Sequence, residues 1–118
     1  MNIKPLIKNP LENIVVYSPP ETGIYLGSPS IAVLPDNKII VSHDFFGPNS
    51  LKNRYGMSNT SQIFMSSDGG KKWERIAIIK NAYWSTLFYY NDALYLFGVS
   101  AAYGDIVIRR SVDGGFTE

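Results

Sequence analysis

The feature that most constrains this chain is a short motif that returns. Ser66-Ser67-Asp68-Gly69-Gly70-Lys71-Lys72-Trp73 recurs forty-five residues later as Ser111-Val112-Asp113-Gly114-Gly115-Phe116-Thr117-Glu118. What precedes each copy is duplicated too. Residues 28–34, the turn Pro35-Asp36-Asn37 and residues 38–41 correspond to residues 84–90, Asn91-Asp92 and residues 93–96. The second match has an offset of about 55, so the first unit carries roughly ten extra residues, which fall within 44–60.

The periodicity inside each unit is that of strands. Short bursts rich in Ile, Val, Tyr and Phe are bounded by Pro, Gly, Asn and Asp. Strands are expected over 14–17, 24–26, 28–34, 38–43, 61–66, 73–79, 84–90, 93–99 and 105–111, the last with Ile106 and Ile108 buried. The turns between them are Pro35-Asp36-Asn37, Asp68-Gly69-Gly70, Asn91-Asp92 and Asp113-Gly114-Gly115. Four strands per unit at a spacing of about 40–50 residues predict an all-β fold, a β-propeller of four-stranded antiparallel blades. The expected division is residues 1–27 as N-terminal strands, 28–79 as one full blade and 84–118 as a second, truncated blade.

Composition narrows the function classes. The chain has 118 residues, 45% hydrophobic and 14% aromatic, with a net charge of +1, so it has enough apolar matter for a core and no electrostatic footprint for nucleic acid. There are no cysteines, which excludes disulfides and thiolate metal sites. No Zn-type histidine cluster, Gly-rich phosphate loop or Ser/Cys–His triad is present, and neither a cofactor nor a metal is expected. The N-terminal apolar runs are broken by Pro5, Asn9, Pro10 and Glu12, unlike an export signal, and no stretch reaches the roughly 20 apolar residues of a membrane span. The sequence as written is expected to be soluble and cytoplasmic.

The motif itself has a physical reading. Asp68 can accept hydrogen bonds from backbone N–H groups of its own turn, Gly69 and Gly70 tolerate positive φ, and Ser66 adds a further bond. Trp73 is expected to fold back as an apolar plug between neighbouring units. The second copy keeps Ser111, Asp113 and Gly115 but has Glu118 where the Trp would fall.

The pattern Ser-x-Asp-x-Gly-x-x-Trp resembles the Asp box of sialidases and other bacterial neuraminidase repeat proteins. The run Gly27-Ser28-Pro29-Ser30-Ile31-Ala32-Val33-Leu34-Pro35-Asp36 is similar to the first-blade opening of that family. Trp84-Ser85-Thr86-Leu87 and residues 103–111 are similar to the blade that follows. The resemblance covers about residues 22–118. It implies about two blades of a six-bladed wheel, the N-terminal part of a larger domain, partnered by the remaining blades or by self-association. The Asp boxes would be structural, and ligands would bind on the opposite face, formed by residues 44–60, 80–84 and 100–105.

The implied function is that of a sialidase-superfamily glycoside hydrolase acting on a glycan. Sialidases place an Arg two residues before the Pro of the opening strand; here that position is Gly27, so the sugar is expected not to be sialic acid. By position, Asp44 is the first candidate for a general acid or base, or else a turn cap. His43 either shares that proton work or packs at the strand end. Asp105 is a second carboxylate or a turn residue. Arg54 and Tyr55 sit in the long loop, and Tyr83, Trp84 and Tyr103 offer ring faces to a sugar or to packing. The Tyr–Glu nucleophile of the family would come from later blades, leaving this piece inactive alone. The alternative is a non-enzymatic carbohydrate- or protein-binding Asp-box propeller.

Overall fold

The computed structural model describes residues 14–115. It is all-β, with two antiparallel sheets joined in chain order. Sheet 1 contains β1 (Tyr25–Val33), β2 (Ile39–Phe46), β3 (Thr60–Ser66) and β4 (Glu74–Lys80). Sheet 2 contains β5 (Tyr83–Tyr90), β6 (Ala93–Val99) and β7 (Ile106–Ser111). Each strand pairs with the next, so the connections alternate between the two ends of the sheets. Among the described residues no helix is long and apolar enough to cross a membrane.

The duplication seen in the sequence is a duplication of backbone shape. The pairing of β1 with β2 breaks register between Gly27 and Ser30, and that of β5 with β6 breaks between Tyr83 and Thr86. At the centre of each break stands a non-glycine residue with positive φ, Ser28 at 48° and Trp84 at 47°. Such a backbone costs an L-residue roughly 1–2 kcal/mol. Both irregularities therefore need support from outside their own strands.

The two glycine turns repeat as well. Ser66 Oγ donates to Asp68 Oδ1 at 2.8 Å and accepts from Gly70 N–H at 2.8 Å. Asp68 Oδ1 also accepts from the N–H groups of Lys71 and Lys72 at 3.1 and 2.9 Å. Those backbone donors, Lys72 first, hold the Asp68 carboxyl below its ordinary value. In the second turn Ser111 Oγ donates to Asp113 at 2.7 Å and accepts from Gly115 N–H at 2.9 Å. Gly69, Gly70, Gly114 and Gly115 all have positive φ, as the turn chemistry requires.

Four expectations need correction. Residues 14–17 form no strand, since they pair with no neighbouring strand among the described residues, and Pro19 and Pro20 then lead into a single 3-10 turn, Pro20–Thr22. The separate strands expected at 24–26 and 28–34 are one strand, β1, with Gly27 to Pro29 forming its bulge instead of a break. Trp73 is only half buried, lies over its own turn glycine Gly70, and is not part of the core between the sheets. Ile106 and Ile108, expected to be buried, are 71% and 57% exposed because they face away from sheet 1. The expected N-terminal segment before residue 14 and the end of the second motif lie outside the described residues.

The core lies between the sheets. Ala32, Leu34, Ile40, Ile63 and Met65 of sheet 1 meet Leu87, Leu94 and Leu96 of sheet 2. Strict alternation along β2 and β3 puts Ile40, Ser42 and Asp44, with Ser61, Ile63 and Met65, on this inner face. Ser42 is misplaced there: its hydroxyl is fully buried and has no hydrogen-bond partner among the described residues. An orphaned buried hydroxyl costs about 1–3 kcal/mol. Ser42→Ala is therefore expected to leave urea stability unchanged or raise it, whereas Leu87→Ala lowers it by about 2–5 kcal/mol. A clear loss of stability in Ser42→Ala would show that the hydroxyl has a partner.

Candidate ligand-binding face

The end of the sheets opposite the glycine turns carries the long β2–β3 loop (47–59), the Asn81-Ala82 connection and the β6–β7 loop (100–105). Backbone bonds join them. Ala82 N–H donates to Asn59 C=O at 3.1 Å, and Ala102 N–H donates to Ser58 C=O at 2.8 Å. Asn59 Nδ2 donates to Asn81 Oδ1 at 3.2 Å. The long loop is also folded on itself. Lys52 and Ser58 form a β-bridge, and Asn53 Oδ1 accepts from the N–H groups of Tyr55 and Met57, each at 3.0 Å. Residues from both sheets thus share one continuous surface.

Asp44 lies inside β2, not at the start of the loop, and points between the sheets at 2% exposure. Its Oδ1 is 2.8 Å from Ser61 Oγ, and its Oδ2 accepts from Trp84 N–H at 2.6 Å. The Ser28 side chain also hydrogen-bonds to it. The carboxyl therefore touches both register breaks: the bulge of β1 through Ser28 and that of β5 through the Trp84 amide. Nearby, Ser30 Oγ accepts from Leu87 N–H at 2.7 Å. The free edge of β5 is thus satisfied by side chains of sheet 1.

The proton count around Ser61 favours the protonated form of this carboxyl. Ser61 Oγ is 2.8 Å from Asp44 Oδ1 and 2.7 Å from Ala82 C=O. A hydroxyl has one proton, so both contacts are full hydrogen bonds only when Asp44 is protonated and donates to Ser61, which donates onward to Ala82. Burial pushes the Asp44 carboxyl above its ordinary value, against the opposing effect of the bonds that Ser61, Trp84 and Ser28 can donate to its ionised form.

His43 faces the other side of β2 and is also buried. Its Nδ1 is 3.0 Å from the Asp44 carbonyl oxygen, which can only accept, so Nδ1 carries the proton. Nε2 then accepts from Gln62 Nε2 at 3.0 Å, and Gln62 Oε1 accepts from Arg75 at 3.3 Å. Burial pulls the imidazole below its ordinary value, opposed by its bond to the Asp44 carbonyl. The ring packs edge-on to Phe45 and stacks with Phe64. Both groups first considered for proton transfer thus have their polar atoms occupied inside the protein.

The exposed chemistry of this face is aromatic. Trp84 is 45% and Tyr103 87% exposed, with ring centroids 5.3 Å apart and planes at 89°. Tyr83 lies behind Trp84 at 5.2 Å and is buried, which raises its hydroxyl pKa; that hydroxyl is bonded to Ser58. Asp105 is exposed in the Tyr103 loop, whose ends are tied by the Ser100–Asp105 backbone and hydroxyl bonds. Arg54 and Tyr55 are at the exposed tip of the long loop, and the Arg54 guanidinium donates to Tyr55 Oη at 2.6 Å. The structure brings Trp84, Tyr83 and Tyr103 together and separates them from His43. Arg109 Nη2 reaches Lys80 C=O at 3.0 Å across the junction, while Arg110 is exposed. Sequence reasoning missed Ser28 and Ser61. Their signal was the register that sets Gly27 and Ser61 opposite Asp44.

Comparison with family models, with curated proteins and with solved structures gave no match.

The pH dependence of stability follows from the two buried groups with opposite signs. A raised carboxyl contributes stability that is complete below its ordinary value and is lost as pH rises through its folded value; the lowered His43 contributes stability above its ordinary value that is lost as pH falls. Asn in place of Asp44 can donate to Ser61 and accept from Trp84 as the protonated acid does. Asp44→Asn is expected to match or exceed the wild type in urea stability at about pH 8 and to remove the loss that the wild type shows as pH rises from the ordinary carboxylate range towards that pH. Asp44→Ala, which orphans the Trp84 amide, loses about 1–3 kcal/mol at either pH. Identical pH slopes for wild type and Asp44→Asn would refute the protonated clamp.

Proposed function

We propose that this chain is a carbohydrate-binding part of an Asp-box β-propeller, taking a glycan on its loop face without carrying a hydrolytic centre of its own. The observation that carries the reading is the Trp84–Tyr103 pair, two exposed rings at right angles on the face opposite the glycine turns. An aromatic face suits the C–H side of a pyranose, and a second ring standing perpendicular to it gives the sugar a wall as well as a floor. Polar groups that bond a sugar's hydroxyls are close by in sequence: Asn81, Ser100 and Asp105. The likeness of residues 22–118 to the first blades of sialidase-like proteins supports the ligand class and the choice of face. Gly27 in place of the first arginine argues for a neutral sugar.

The hydrolase reading keeps one specific observation. Asp105 is an exposed carboxylate in the same loop as Tyr103, so a glycosidase built on this face has one candidate acid that substrate can reach. Asp44, held between the sheets, is a positioning residue in either case, since it fixes the Trp84 backbone.

The test is binding of the purified chain to a glycan array, followed by titration of the best neutral ligand. Asn tolerates the left-handed backbone that Trp84 and Tyr103 adopt, so Trp84→Asn and Tyr103→Asn remove the rings with little added strain. Each is expected to weaken binding about tenfold, a stacking contact worth roughly 1.4 kcal/mol. Unchanged affinity in both would overturn the proposed site. Turnover of aryl glycosides by the chain, lost in Asp105→Asn, would establish the hydrolase reading instead.

A further inference from the structure

The two sheets pack on each other through faces that do not match, and each leaves bare the face that the other uses. Sheet 1 presents Ala32, Ile40 and Ile63 to sheet 2, which answers with Leu87, Leu94 and Leu96. The duplicated register identifies the counterparts. Those of Ala32 and Ile63 in sheet 2 are Phe88 and Ile108, 39% and 57% exposed on the side away from sheet 1. The counterpart of Leu87 in sheet 1 is Ile31, 62% exposed on the side away from sheet 2, and Val33 beside it is 59% exposed. Apart from Arg110, which stands where sheet 1 has the core residue Met65, the bare face of sheet 2 is therefore built as a sheet 1 contact face, and that of sheet 1 as a sheet 2 contact face.

From this correspondence we infer that the bare face of sheet 2 receives the bare face of sheet 1 from a second copy of this chain, head to tail. Three further observations identify the occupant. First, the sizes compensate. Phe88 and Phe97 stand where sheet 1 has Ala32 and Ser42, so the bare face of sheet 2 is bulkier; Val33 stands where sheet 2 has Tyr89, so the bare face of sheet 1 is slimmer there. Second, the edge bond is kept. Ser30 accepts from Leu87 N–H within the chain. Its counterpart Thr86 keeps the hydroxyl and is exposed, positioned to accept from Ile31 N–H of the next copy. Third, the Asp44–Ser61 pair has the apolar counterparts Val99 and Ile106, so the contact between copies needs no buried carboxyl. Residues 14–16 lie beside Leu26, Gly27 and Val41 and occupy one end of the sheet 1 face, leaving the Ile31–Val33 end open. A head-to-tail contact is heterologous, and its rotation sets whether it closes a ring or grows.

The inference is independent of the glycan reading and is tested by sedimentation and light scattering on the full 118-residue chain from micromolar to millimolar concentration. Wild-type mass is expected to rise beyond that of a monomer. Phe97→Glu blocks the sheet 2 face and Ile31→Glu the sheet 1 face; each alone is expected to weaken self-association at least tenfold. Mixed, the two variants each retain the face the other lacks, so they are expected to form a one-to-one complex with near wild-type affinity. Near-ultraviolet circular dichroism checks that both remain folded. If either does not, Phe88→Glu and Val33→Glu form the substitute pair. A wild type that stays monomeric, meaning that something else covers these faces, would overturn the inference. So would variants that associate as wild type does, or folded variants whose mixture stays monomeric.

Discussion

The arrangement of this molecule depends on one carboxyl group buried between two sheets. Asp44 is the point at which both register breaks meet, through the Ser28 side chain and the Trp84 amide. Each break places an L-residue at positive φ, a conformation that persists only when its surroundings impose it. The amide that a regular strand would leave unpaired at its edge is instead bonded to Asp44, and the next such amide, of Leu87, is bonded to Ser30. The apolar contacts of Leu87, Leu94 and Leu96 supply the main driving force for packing. The polar bonds set its register, because a slip along β5 would orphan both amides in a nearly dry junction.

That arrangement also determines where function can lie. A carboxyl that holds two backbones in place and is hydrogen-bonded to Ser61 is not free to approach a substrate. By fixing the Trp84 backbone it instead turns the indole toward Tyr103 on the loop face. The long β2–β3 loop reaches the same surface because its closing residues, Ser58 and Asn59, are bonded to the loops of sheet 2. At the other end, Ser66 and Asp68 are hydrogen-bonded within their own turn, and Ser111 closes the second turn through Asp113 and Gly115. The division of labour is therefore between ends: one closes the hairpins, and the other presents chemistry.

How much of this was legible in the sequence depends on the distance between partners. The turn bonds of Ser66 and Asp68 span at most four residues, and were readable from the motif because nothing remote contributes to them. The strands and their duplication were readable for the same reason. The role of Asp44 was not, since its partners Ser61 and Trp84 are 17 and 40 residues away; in the sequence it stands at the mouth of a long loop and suggests catalysis. Gly27 to Pro29 suggested a chain break, because the sequence shows the bulge-forming residues but not the strand continuing on both sides. For Ile106 and Ile108, alternation gave the face correctly, but not whether anything covers it.

The packing of the two sheets rests on Asp44 as a protonated clamp between them. Titration of its side-chain carboxyl carbon by nuclear magnetic resonance, with the Trp84 amide proton followed in the same samples, tests this most directly. A protonated clamp gives a midpoint above the ordinary carboxylate range and the same midpoint for the Trp84 amide, because the two are hydrogen-bonded. A midpoint at or below the ordinary range, or a Trp84 amide that does not respond, would contradict it.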